Sequence, residues 1–193
     1  MASRRSSRAR QILRRAYRAV RYVPDRMLHS RRHRTVLRLV LNAKRPQRIL
    51  VVCHANLCRS PYLAAVLQHV LPDAIVTSAG FVGADRDVPP ESVMVSGQRG
   101  FDLSRSRSRP LTQAAVDAAD LVVVMDTTQK RDLLRLFRTT GARVIVAADL
   151  DPVFQGSRAI EDPWDQSTGV FEYTFDRLDR CAAALVGILQ HTA

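Results

Sequence analysis

The pattern of apolar and polar positions divides the chain near residue 47. Downstream, four short apolar runs rich in β-branched residues, at 49–52, 74–78, 120–125 and 143–147, alternate with longer segments whose apolar residues recur at helical spacing. Runs without polar alternation suit strands covered on both faces, as in a parallel sheet. Helices are expected after Pro61 (62–71), after Pro89 and Pro90 (91–99, stopped by Gly100), behind Thr112 (113–119), behind Asp126 (127–137, closed by Gly141) and over 170–189. This order predicts an α/β fold: a four-stranded parallel sheet flanked by helices on both faces, with right-handed crossovers. Ligands of such sheets bind at the carboxyl ends of the strands.

Upstream the pattern is different. Residues 1–10 hold almost nothing apolar and are expected to stay disordered. Over 11–22, Ile12, Ala16 and Val20 share one helical face while Arg14, Arg15, Arg18 and Arg21 fill the rest of the turn, which predicts a basic amphipathic helix ended by Pro24. A second short amphipathic piece is expected over 35–41, with a linker over 43–47. The expected organisation is an Arg-rich extension, residues 1–46, and a catalytic domain, residues 47–193.

Charge sharpens this division. Residues 1–48 carry fifteen arginines and one lysine against the single acid Asp25, a net +15, so the chain's +12 leaves the other 145 residues at −3. Basicity therefore belongs to the extension. Three readings of it stay open: attachment to an anionic membrane surface, a solvated or partner-docking arm, and, behind these, nucleic-acid binding. An organellar transit peptide ranks below them. With no apolar run long enough to span a bilayer and no secretory leader pattern, the expected location is cytoplasmic, and peripheral at the inner membrane surface under the first of these readings.

The candidate chemistry lies where the first strand ends, at Cys53. The loop Cys53, His54, Ala55, Asn56, Leu57, Cys58, Arg59, Ser60 runs from strand to helix, with Pro61 in the helix's first turn. Unpaired N–H groups and the macrodipole favour an anion there, whether a phosphate or an ionised thiol. The spacing of Cys53 and Arg59 allows a closed turn of inward N–H groups with the guanidinium over a phosphate. The cysteines Cys53, Cys58 and Cys181 are too few for a disulfide framework and lack zinc spacing, so no metal and no cofactor is expected.

This segment resembles the signature of the low-molecular-weight protein tyrosine phosphatases, C-x-G-N-x-C-R-S-P, with Ala55 where the family has glycine. Ser78-Ala79-Gly80, Val124-Met125-Asp126 and Asp162-Pro163 follow in the family's order, so the resemblance extends over about residues 48–189. It implies hydrolysis of phosphotyrosine on a protein substrate through a cysteinyl-phosphate: Cys53 as nucleophile, Ser60 bonded to it, Arg59 as bidentate phosphate clamp and Asp162 as general acid. Trp164 and Phe81 would line the substrate cleft, and Asn56 would hold the loop. The resemblance also suggests a reversible disulfide between Cys58 and Cys53, against simple packing of Cys58. His54 is expected to face solvent and Cys181 to be a bystander. Asp126 is a helix cap as readily as a catalytic helper, and Asp149 and Asp151 come too early to be the acid.

Ser78-Ala79-Gly80-Phe81 looks closer to bacterial members that act on tyrosine autokinases of polysaccharide export. Arsenate reductases share the loop but need cysteines that are missing between Cys58 and Cys181, and protein arginine phosphatases carry threonine where Leu57 stands. A non-catalytic phosphoprotein-binding scaffold attached by its basic arm is the contrasting reading. It rests on Ala55, whose methyl group would cost ~1 kcal/mol if the backbone there were left-handed.

Overall fold

The computed structural model describes residues 23–41, 45–139 and 143–190. Residues 1–10, the helix expected over 11–22, linker positions 43–44 and Gly141 lie outside them. The chain runs α1 (Val23–Leu41), β1 (Arg48–Cys53), α2 (Arg59–Val70), β2 (Ile75–Gly80), α3 (Pro90–Gln98), α4 (Gln113–Asp117), β3 (Leu121–Val124), α5 (Thr127–Leu136), β4 (Arg143–Val146), a 3-10 turn (Ala147–Asp149) and α6 (Thr168–Gln190). The strands form one sheet in the order β2-β1-β3-β4. Every pairing is parallel, with Val52 level with Ala79 on one side and Val124 on the other.

This order places the site. β1 leads outward through α2 to β2, whereas β3 leads the other way through α5 to β4, so right-handed crossovers put these helices on opposite faces. The direction reverses between β1 and β3, and the crevice at their carboxyl ends opens at Cys53. All of β3 is buried, as are Ile49 to Cys53 of β1, which accounts for their uninterrupted apolar sequence.

α6 is the backbone of one face and packs on α1, α2 and α3. Tyr62 of α2 stacks on Phe175, and its hydroxyl donates to Asp179 at 2.7 Å. Arg177 of α6 is buried, with its guanidinium donating to Asp151 Oδ2, Ala159 O and Ser157 O at 3.2, 2.6 and 2.7 Å, and Arg180 adds two bonds to the same fully buried carboxylate. The long segment before α6 is thereby fastened down. Asp151→Ala should lower unfolding free energy by about 3–5 kcal/mol, because two guanidinium groups lose their counter-charge. A shift in denaturant midpoint equivalent to less than ~1 kcal/mol would show that the segment is held otherwise.

α1 departs from expectation. Pro24 lies in the first turn of a helix, where its missing N–H costs nothing. His29, His33, Val36 and Val40 share the face turned to the domain: Val36 and Val40 enter the core, His29 meets Phe154, and His33 Nδ1 lies 3.0 Å from Asp149 O. Residues 23–41 are therefore packed on α6 and the 3-10 turn.

Candidate active site

Cys53 ends β1 with its side chain buried, and its sulfur has two donors. The Asn56 N–H lies 3.2 Å away and the Ser60 hydroxyl 3.1 Å. Both bonds hold the sulfur at the mouth of the loop, facing the cleft. α2 begins at Arg59, so the first-turn N–H groups, which have no intrahelical acceptor, border the same loop.

Asn56 organises the loop. It is the loop residue with left-handed backbone, φ 54°. Its amide donates to Ser60 Oγ and Ser78 Oγ at 2.9 and 2.8 Å, and its Oδ1 accepts from Arg109 N–H at 2.8 Å. The loop is thus tied to the end of β2 and to the segment before α4. Gly80 lets β2 come this close: a Cβ there would stand 2.6 Å from Asn56 N and 2.7 Å from Ala55 C.

Arg59 is 4% exposed, and its Nη1 donates to Ile160 O at 3.1 Å while Nη2 forms an ion pair with Asp162. Its Nε is buried without a hydrogen-bond partner among the described residues. A buried guanidinium donor left in this way is suited to an anion. Asp162 is held over the loop from both ends. Ile160 is buried and its N–H reaches Met125 O at 2.9 Å, Thr174 Oγ1 donates to Glu161 O at 3.3 Å, and Pro163 is buried. The carboxylate itself stays 43% exposed.

Cys53, His54, Ala55, Leu57, Cys58, Val82, Arg86, Asp162 and Trp164 line one cleft of about 270 Å³. Trp164 forms its wall, with the Arg86 guanidinium 5.1 Å from the indole ring centre. Cys58, the N-cap of α2, is buried, and burial first, then the nearby Asp162 and Cys53, pushes its thiol well above the usual range. All three cysteines are free thiols.

The family profile of the low molecular weight phosphotyrosine protein phosphatases matches residues 48–193. The chain belongs to this family. It is 35% identical over 140 residues to the probable low-molecular-weight protein-tyrosine-phosphatase EpsP of Ralstonia solanacearum, covering 72% of this chain and 92% of that protein. The structure resembles Vibrio vulnificus Wzb in complex with benzylphosphonate, with TM-score 0.66 and 26% identity over 73% of this chain and 97% of that one. It also resembles the YwlE arginine phosphatase of Geobacillus stearothermophilus, with TM-score 0.68 and 28% identity over 75% and 94%.

Within this member of the phosphatase family, the cleft brings together Cys53, its loop, Asp162 and Trp164 from distant parts of the chain, and the buried Arg59 joins them through its ion pair with Asp162. Phe81 is not brought in. It is half-buried against the core, and its neighbour Val82 lines the cleft instead. Ala55 escapes the strain considered for it, since the left-handed residue is Asn56. His54 is exposed at the rim. Asp126 accepts from Gln129 N–H at 2.8 Å as the cap of α5, Asp149 is held by Arg158, and Asp151 by Arg177 and Arg180. None of these three lines the cleft. Sequence reasoning missed Arg86 and the partners of Asn56, whose contacts join segments 22 and 53 positions apart.

Proposed function

We propose that this chain hydrolyses phosphotyrosine on proteins through a cysteinyl-phosphate. The thiolate of Cys53 attacks phosphorus while the bond from phosphorus to the tyrosyl oxygen breaks, and the carboxyl proton of Asp162 passes to that oxygen. Arg59 and the loop N–H groups take the charge of the equatorial oxygens. Water then attacks phosphorus, gives its proton to Asp162, and the P–S bond breaks to release phosphate and restore the thiolate. The observation that carries this reading is the meeting of Arg59, six residues after the thiol, with Asp162, 103 positions further along, beside the cleft that Cys53 and Asp162 line.

Leu57, buried in the loop, and the indole of Trp164 give the cleft apolar surface for an aromatic ring. They support phosphotyrosine over phosphoarginine. The catalytic efficiency on a phosphotyrosine peptide should exceed that on the matching phosphoarginine peptide by at least about tenfold, a difference of ~1.4 kcal/mol in transition-state binding. The reverse order would assign the chain to the arginine phosphatases. The partner in view is a tyrosine kinase of polysaccharide export, supported by similarity to the bacterial protein EpsP and to Wzb.

For the extension we keep the anionic-surface reading. The outward face of α1 carries Arg26, Arg31, Arg34 and Arg38 beside exposed Met27, Leu39 and Leu41, a pairing of cations and apolar groups that suits a headgroup layer. The full chain should sediment with phosphatidylserine vesicles and be released by salt. A chain lacking residues 1–22, with these four arginines changed to glutamine, should not sediment; equal binding by both would end this reading.

A further inference from the structure

Arg86 has no part in the chemistry above, yet the fold fixes its place at the mouth of the cleft. Its N–H donates to Ser108 Oγ at 2.9 Å, its carbonyl accepts from Ser108 N–H at 2.9 Å, and the preceding Asp85 N–H donates to Ser108 O at 2.8 Å. The next residue, Arg109, is bonded through its N–H to Asn56 Oδ1 and through its carbonyl to Gly80 N–H. Arg86 is thus connected by a short series of hydrogen bonds to the residue whose N–H bonds Cys53. The side chain crosses to the opposite wall and lies on Trp164, which stands two residues after Asp162.

The charge of Arg86 has no counter-charge among the described residues, where no carboxylate lies within ion-pair distance of it. Nearby Asp87 is paired with Arg107 at 3.0 Å, and Asp162 with Arg59. An exposed guanidinium held on an aromatic wall keeps its donors directed toward whatever adjoins the bound phosphotyrosine. A phosphate monoester alone gives this cation nothing to do, because Arg59 and the loop already surround the phosphate position.

We propose that Arg86 selects substrates with an anionic side chain adjacent to the phosphotyrosine. This rests on the phosphotyrosine phosphatase reading and adds the substrate class. The anion is a carboxylate or a second phosphate, which present the same oxygen acceptors to the guanidinium fork. Selection acts on binding of the substrate segment, so it is expressed in KM rather than in kcat.

The test is a set of phosphotyrosine peptides with Glu, phosphoserine, Gln or Lys on either side of the phosphotyrosine, assayed with the full chain, Arg86→Ala and Arg86→Glu. Each kcat/KM is divided by that of the same protein on p-nitrophenyl phosphate, which has no neighbouring residue. The parent chain should prefer Glu over Lys by about three- to tenfold, in KM, the range of a partly exposed ion pair. Arg86→Ala should level the series, and Arg86→Glu should favour Lys. A stronger response to phosphoserine than to Glu would identify a second phosphate as the preferred anion, and the converse a carboxylate; either supports the proposal. No Glu/Lys preference in the parent, or one that survives Arg86→Glu, would overturn it. Failure of the parent on p-nitrophenyl phosphate as well would instead overturn the phosphatase reading, and this inference with it.

Discussion

Replacing Cys53 with serine should reduce turnover of p-nitrophenyl phosphate and of phosphotyrosine peptides to below about 10⁻⁴ of the parent level, because the nucleophile cannot be substituted by any other group in the cleft. A serine hydroxyl keeps its proton at neutral pH and is a far weaker nucleophile than a cysteine sulfur, which Asn56 N–H and the Ser60 hydroxyl hold in place at position 53. Cys58 cannot take over. Its thiol is buried, and that burial, reinforced by Asp162 and Cys53, holds it protonated. The substitution removes one sulfur and leaves the loop's other bonds in place, so phosphate should still bind, measurable by calorimetry. Residual turnover above about one per cent would mean that the chemistry does not run through this side chain.

Asp162→Asn should have the second largest effect, and the effect should depend on the leaving group. Tyrosyl oxygen needs a proton as its bond to phosphorus breaks, so the first turnover on a phosphotyrosine peptide should slow by about 10²–10⁴. The p-nitrophenolate ion leaves without help, so its first-turnover release should slow by less than about tenfold. The later step still lacks its base, and steady-state turnover should fall on both substrates. Asparagine also dissolves the ion pair with Arg59, which frees the guanidinium for phosphate, so KM should not rise. Equal slowing of the first turnover on both substrates would assign Asp162 to positioning Arg59 rather than to proton transfer.

The strands were readable because a strand covered on both faces has little choice of residue: Val51, Val52 and Leu121 to Val124 are all fully buried. α1 was harder to read. Two of the four positions on its inner face are His29 and His33, which do not register as apolar, and Pro24 gives the same signal in a first turn as beyond a helix end. Cys53, Arg59 and Asp162 were legible as chemistry, since thiol, guanidinium and carboxylate leave few other uses in such a setting. Which residues line the cleft depended on side-chain direction. Phe81 and Val82 are adjacent just past β2, and a shift of one residue exchanges the face turned to the core with the face turned to the site. Arg86 and the grip of Asn56 on Ser78 and Arg109 arise from contacts 22 and 53 positions apart, which no local pattern encodes.

The central claim is that phosphate passes through Cys53. Asp162→Asn mixed rapidly with p-nitrophenyl phosphate should release a burst of p-nitrophenolate stoichiometric with the protein, and acid-quenched protein should carry one phosphoryl group on the peptide containing Cys53. A burst with the label on Cys53 is the predicted result; no burst and no adduct, or an adduct on any other residue, would contradict it.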